Sequence, residues 1–169
     1  MTADARADDA TADLVGEHRE RADLQVIPPA VAREEAGDGH VGAVAYPYRV
    51  YEVEVTVGAP LVGDRTDSYV ASVDRSRRLV LRADTFPDVE ERTVADALVL
   101  PAELSDEQCR EKARESAFGW TTRRYALSSA PDIEFPRATD AYKLFWLVER
   151  PDGDVIVDSV RGTEDPLRD

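Results

Sequence analysis

Residues 69–84, YVASVDRSRRLVLRAD, carry the first decision about the fold. The run SYVASV is β-branched and apolar, DRSRR is polar and arginine-rich, and LVLRA is apolar again. That order predicts a strand, a tight turn and a second strand. It leaves one question open. Asp74, set between a valine and three nearby arginines, is either a functional carboxylate or a residue that shapes the turn.

Working outward, the strongest strand lies upstream in YPYRVYEVEVTV. Tyr51, Val53, Val55 and Val57 alternate with Glu52, Glu54 and Thr56, so one face is buried and the other is wet. GAPLVGDRTD then breaks the pattern with Gly, Pro and Asp. Further upstream, VIPPAVAREEAGDGH predicts a short helix opened by Pro28 and Pro29 and closed by Gly37. Residues 1–24 are rich in Ala, Asp, Arg and Glu, with only Leu14, Val15 and Leu24 as apolar anchors. They are expected to form an acidic tail, frayed helix or disordered.

Downstream, DVEERTVADAL (88–98) places Val89, Val94, Ala97 and Leu98 at helical spacing. PAELSDEQCREKARESAFGW predicts a helix with clear ends. Ser105 and Gln108 form a capping box, Leu104 and Cys109 a hydrophobic staple, and Gly119 serves as the stop. Cys109, Ala113, Ala117 and Trp120 share its inner face. YKLFWLVERPDGDVIVDSV reads as a β-hairpin about Asp152-Gly153. Its first strand has apolar residues on both faces, which implies cover on both sides.

The opening stretch has an echo. VDRSRR (73–78) is matched by VDSVRG (157–162), each after a β run. Each is preceded by an aromatic strand, YPYRVYEVE or YKLFWLVE, and by a proline-led helix, PPAVAREEA (28–36) or PAELSDEQC (101–109). The order predicts an internal duplication. The arrangement resembles PepSY-type modules, in which a helix packs on a short antiparallel sheet and the last strand carries a Val-Asp-x-x-Thr-Gly-x-Val signature. Arg77 and Arg78 stand where that family favours Thr-Gly; Gly162 is kept, with Arg161 in place of Thr. The resemblance covers 31–84 and 104–163, and implies extracytoplasmic modules that bind or restrain peptidases. It also implies that Asp74 and Asp158 are turn residues, since an Asp entering a turn accepts from backbone N–H groups two or three residues on. The expected fold is therefore α+β: an antiparallel sheet with helices packed on one face, built from two helix–hairpin halves, 25–87 and 88–169.

Composition bounds the habitat. The chain of 169 residues has 35 Asp+Glu against 21 Lys+Arg, a net charge of −14. Of the basic residues only Lys112 and Lys143 are lysines, and there is no asparagine. Such a composition resembles that of cytoplasmic proteins of extreme halophiles, notably haloarchaea. Self-repulsion destabilises so acidic a chain, and molar salt, with a Debye length of about 3 Å, screens it. The charge disfavours nucleic acid as a partner. One cysteine, Cys109, excludes an intramolecular disulfide. The opening MTADARADDATAD has neither a basic nor an apolar signal region, and no apolar run approaches the roughly 20 residues of a membrane span. A cytoplasmic location is expected.

Few residues invite chemistry. His18 and His40 are the only histidines and lack ligand spacing for zinc. GDG (37–39) and DGD (152–154) are turns without phosphate- or calcium-loop context. Glu52, Glu54 and Glu149 suggest an acidic stripe, read as a solvated face. Cys109 at a helix start is packing. No catalytic, cofactor-binding or metal-binding residue is assigned, and no cofactor is expected. Tyr46, Tyr48, Arg75, Arg77 and Arg78 are the candidate partner contacts, with Arg82 beside them and Arg123 and Arg124 a smaller basic group. Tyr142, Phe145 and Trp146 are read as core. The expected function is a non-catalytic binding or regulatory module acting through an unidentified protein partner. The alternatives are a small enzyme using Asp/Glu acid–base chemistry and an accessory subunit of a larger assembly.

Overall fold

A computed structural model describes residues 16–59, 63–125 and 130–167. In chain order the elements are β1 (Glu17–Val26), a 3-10 turn (Arg33–Glu35), β2 (Val41–Ala59), β3 (Gly63–Asp74), β4 (Leu79–Ala83) and β5 (Glu90–Val99). The helix α1 (Asp106–Arg124) follows, then β6 (Asp132–Val148), β7 (Val155–Asp158) and β8 (Glu164–Pro166). The strands hydrogen-bond in the order β4-β3-β2-β5-β1-β6-β7-β8, and β2 also pairs with β6. The circuit β2-β5-β1-β6 therefore closes on itself as a β-barrel.

The residues fall into two compact units. The first is built from the described residues up to Pro47, from Asp88–Ala102 and from Ala141 onward. Here β1 runs antiparallel to β5, from Glu17 opposite Val99 to Val26 opposite Glu90, and β5 is parallel to β2 at residues 43–45. The core is small and β-branched: Ala22, Leu24, Val26, Ala43, Ala45, Val94, Ala97 and Val99 pack with Leu144, Trp146, Val148 and Val157.

The second unit comprises Tyr48–Pro87 and Glu103–Asp140. The long β2–β3 hairpin pairs Tyr48 with Asp74 and Ala59 with Gly63, and β4 continues the sheet antiparallel to β3. Tyr51, Val53, Val55 and Val57 are buried while Glu52, Glu54 and Thr56 are only half-buried, as their alternation requires. On that face lies α1, held close by the small side chains of Cys109, Ala113 and Ala117. The Ser105–Gln108 capping box is formed in both directions, and Leu104 and Cys109 are both buried. Burial pushes the Cys109 thiol pKa up, so it is a poor thiolate. Native Cys109 should react slowly with thiol reagents and quickly after denaturation, and Cys109→Ala should cost only about 1–2 kcal/mol.

Several expectations are corrected. The fold is mostly β with one α-helix among the described residues, rather than α+β with two helix–hairpin halves, and its sheet is mixed: β1–β6 and β2–β5 are parallel. The PepSY layout and the internal helix–hairpin repeat fall with it. The proline-led segment 28–36 yields only a three-residue 3-10 turn, because its backbone is pinned elsewhere: the N–H groups of Ala30 and Val31 both donate to Ser159 O at 2.8 Å. Gly37 closes no helix; a Cβ there would lie 2.5 Å from Val148 Cγ1. Residues 88–98 form most of β5. Their helical spacing arises because burial switches parity at Asp96, which has a left-handed φ of 47°, so Val94 and Ala97 both face inward.

Residues 17–24 of the expected tail belong to β1. Ala22, Leu24 and Val26 are buried in alternation, and the ladder to β5 needs no large side chains; residues 1–15 lie outside the described residues. The helix runs through Gly119 to Arg124, since Thr121 is buried in its last turn and donates to Ala117 O. The two units interleave along the chain.

Candidate functional site

The most developed polar constellation is in the first unit. Pairing of β1 with β5 places His18 near Asp96, and the segment entering β2 brings His40 to the same carboxylate. His18 Nε2 lies 2.6 Å from Asp96 Oδ1, and His40 Nε2 lies 3.2 Å from Oδ2. Both histidines of the chain thus meet on one aspartate. The group borders a cleft of about 250 Å³ whose wall includes Val44, Leu98 and Leu147 and whose rim carries Glu149. The N–H of Glu149 donates to His40 O at 3.0 Å, which fixes that side of the rim. The hydrogen bond from His18 is the main cause that lowers the Asp96 pKa; slight burial opposes it, and the charges of His18, His40 and Arg33 add to it. Asp96 is therefore anionic at neutral pH.

Sequence reasoning considered the two histidines but missed their carboxylate. His18 and His40 are not spaced as ligands, and Asp96 was hidden in a segment read as helix. Only strand pairing joins the three. Among the described residues no group of three His, Cys, Asp or Glu side chains is arranged to hold a metal ion; the imidazoles engage different oxygens of Asp96.

Asp74 and Asp158 occupy the same local structure. Asp74 Oδ1 accepts from the N–H groups of Ser76 and Arg77 at 3.0 and 2.9 Å, and its carbonyl accepts from Arg78 N–H. Asp158 Oδ1 accepts from Val160 and Arg161 N–H at 2.9 and 3.1 Å, and its carbonyl from Gly162 N–H. In each turn a cation meets Oδ2: Arg77 Nε at 2.6 Å, Lys143 Nζ at 2.8 Å. Arg78 and Gly162 close the turns with φ of 62° and 76°. A left-handed arginine costs energy that glycine avoids. Gly162→Ala should therefore lower stability by about 1–2 kcal/mol. Arg78→Gly should be neutral or slightly stabilising, since the gain is offset by backbone entropy of about 0.4–1 kcal/mol. Paired denaturant midpoints check both.

The five candidate partner contacts differ in exposure. Tyr46 and Tyr48 are buried, Tyr46 edge-on to Phe145, because large aromatic area gains more from packing than from exposure. Burial, then the charge of Asp74, pushes the Tyr48 phenol pKa far up, so it stays protonated; Arg77 Nη2 donates to its oxygen. Arg75 is a latch: its Nε and Nη2 donate to Leu104 O at 2.9 and 2.7 Å. Arg78 alone of the five is well exposed, paired with Glu103 at 3.0 Å. Arg82 lies 4.5 Å from the Tyr69 ring centre, and Arg124 lies 3.9 Å from Asp67. Glu52 pairs with Arg137 in the second unit, and Glu149 lines the cleft in the first. Phe145 and Trp146 are core residues; Trp146 Nε1 donates to Val31 O. No helix among the described residues is long and apolar enough to cross a membrane. No protein family model, curated protein or solved structure matches the chain.

Proposed function

We propose that the chain is a non-catalytic binding or regulatory module that acts through protein–protein contact in a halophile cytoplasm. The observation that carries this reading is the difference between the two ends of its strand order. At one end, β8 consists of Glu164, Asp165 and Pro166, all exposed. Two acids and a residue without an N–H blunt that edge against a further strand. At the other end, β4 pairs only with β3 among the described residues. It contains no proline or acid, and presents Leu79 at 38% exposure with half-buried Leu81 two residues on. An extended segment of a partner protein adding as a strand beside β4 fits such an edge. Acid–base chemistry by Asp74 and Asp158 is less favoured, because both carboxylates are engaged in turns and ion pairs.

The test is capture from native-salt lysate with the wild-type chain and with Leu79→Lys/Leu81→Lys, which adds charge to the edge without touching the core face. One partner retained by the wild type and lost by the folded variant is the expected result. Equal capture by both would sink the β4 reading. The habitat has its own check. With a net charge of −14, melting temperature should rise steeply from low salt to molar KCl as carboxylate repulsion is screened. A flat curve would remove the halophile assignment.

A further inference from the structure

We infer that the cleft bordered by His18, His40, Asp96 and Glu149 is a binding site for a small organic cation, a guanidinium or primary ammonium group on a short apolar stem. The size sets the class. At about 250 Å³, the cleft falls below the roughly 300–1,000 Å³ of pockets for drug-sized ligands. It holds one functional group with a short stem. Its wall of Ala43, Val44, Leu98 and Leu147 suits methylene groups, and the Asp96 carboxylate, with the acidic Glu149 also among the lining residues, suits a positive head.

The lining favours a cation over other occupants. An anion would face Asp96 and Glu149 with no lysine or arginine among the lining residues. Arg33, whose charge acts on Asp96, has its guanidinium at Ala95 O (2.6 Å) and over the Trp146 ring (5.2 Å). A purely apolar ligand would strip water from the Asp96 carboxylate and return no hydrogen bond. The Asp96 carboxylate still has capacity, because an ionised carboxylate offers about four acceptor sites and the imidazoles take two. At molar salt the Debye length of about 3 Å cancels long-range attraction, so direct contact within the cleft does the recognising. The site lies within the first unit and is independent of the β4 reading.

The chain has only two histidines and both border the cleft, so every imidazole C–H proton signal, an Hδ2 and an Hε1 from each ring, reports on the site. Methylguanidinium chloride is titrated into the full chain in molar KCl at pH 8, with ethylammonium as a second probe. Saturable shifts of the signals of both imidazoles are expected. Asp96→Asn should weaken binding about tenfold or more, the loss of one charge-assisted contact. The substitution should fold, because Asn tolerates the left-handed backbone of this position. Glu149→Gln, outside any strand, should weaken binding in the same direction. The proposal is overturned by unsaturable or absent shifts, by undiminished affinity in both variants, or by Zn²⁺ saturating the signals where methylguanidinium does not. Leu79→Lys/Leu81→Lys should bind methylguanidinium like the wild type, so failure of either reading is seen separately.

Discussion

Asp74→Ala should shift the unfolding free energy by about 3–5 kcal/mol, the usual effect of removing one member of a buried ion pair. The side chain is 0% exposed and does three things at once. It accepts from two backbone N–H groups, holds the Arg77 guanidinium, and through Arg77 supports the hydroxyl of Tyr48. Alanine removes the acceptor of the Ser76 and Arg77 N–H groups and of Arg77 Nε in the second unit. Asp74→Asn should recover only part of the loss. The amide keeps an oxygen for Ser76 and Arg77 N–H, but it turns an NH₂ donor toward Arg77 Nε. Equal midpoints for Asp74→Asn and the wild type would show that the carboxylate charge is dispensable and the turn alone matters.

Lys143→Met should also cost several kilocalories per mole, on the order of 3–5. Lys143 and Asp158 lie 2.8 Å apart with side chains 10% and 11% exposed, and methionine keeps the stem while removing the charge. The loss should depend on pH in a defined way. Burial alone would raise the Asp158 pKa, but the hydrogen bond from Lys143 and the N–H groups of Arg161 and Val160 outweigh it and the pKa is lowered. A carboxylate with a depressed folded pKa stabilises the protein above its unfolded pKa of about 3.9, and that contribution is lost as pH falls through the folded value. Without Lys143 the strongest cause that lowers the pKa is lost while burial remains, so the folded pKa rises. The variant should therefore sit furthest below the wild type at neutral pH and approach it in acid. A difference that is constant from pH 7 to pH 3 would refute this coupling.

What the sequence revealed depended on how local the signal was. The β2 alternation, the Asp74 hairpin and the N-terminus of α1 rest on neighbours a few residues apart, and each is found where its residues predict. Strands β1 and β5 were missed because each is defined by the other. Glu17–Val26 has too few large apolar residues to suggest a strand alone, and the parity switch at Asp96 imitates helical spacing. The echo between VDRSRR and VDSVRG is real as geometry, and its inference failed because one turn solution was extended to a whole repeat. An Asp with Oδ1 on two N–H groups and a left-handed residue four positions on is a local answer to leaving a strand, and two hairpins can reach it independently. The cleft was legible only in its parts: both histidines stood out, but the carboxylate that joins them is contributed by the misread segment.

The interleaving of the two units limits how the molecule can be dissected and how it can fold. The chain passes from one unit to the other after Pro47, Pro87, Ala102 and Asp140, so neither is contiguous. No single proteolytic cut or terminal deletion releases an intact half. A deletion series aimed at locating partner binding would report misfolding at nearly every step, and point substitutions are the informative route. Assembly carries the same constraint. β6, the last long strand, contributes residues to both units, and it pairs with β1 at Val26–Tyr142, across more than a hundred residues of chain. Contacts of that sequence separation slow folding, since loop closure precedes any gain from the pairing. During synthesis the earlier strands must wait for β6, and a ribosome-bound nascent chain ending before Asp132 should resist protease no better than an unfolded one.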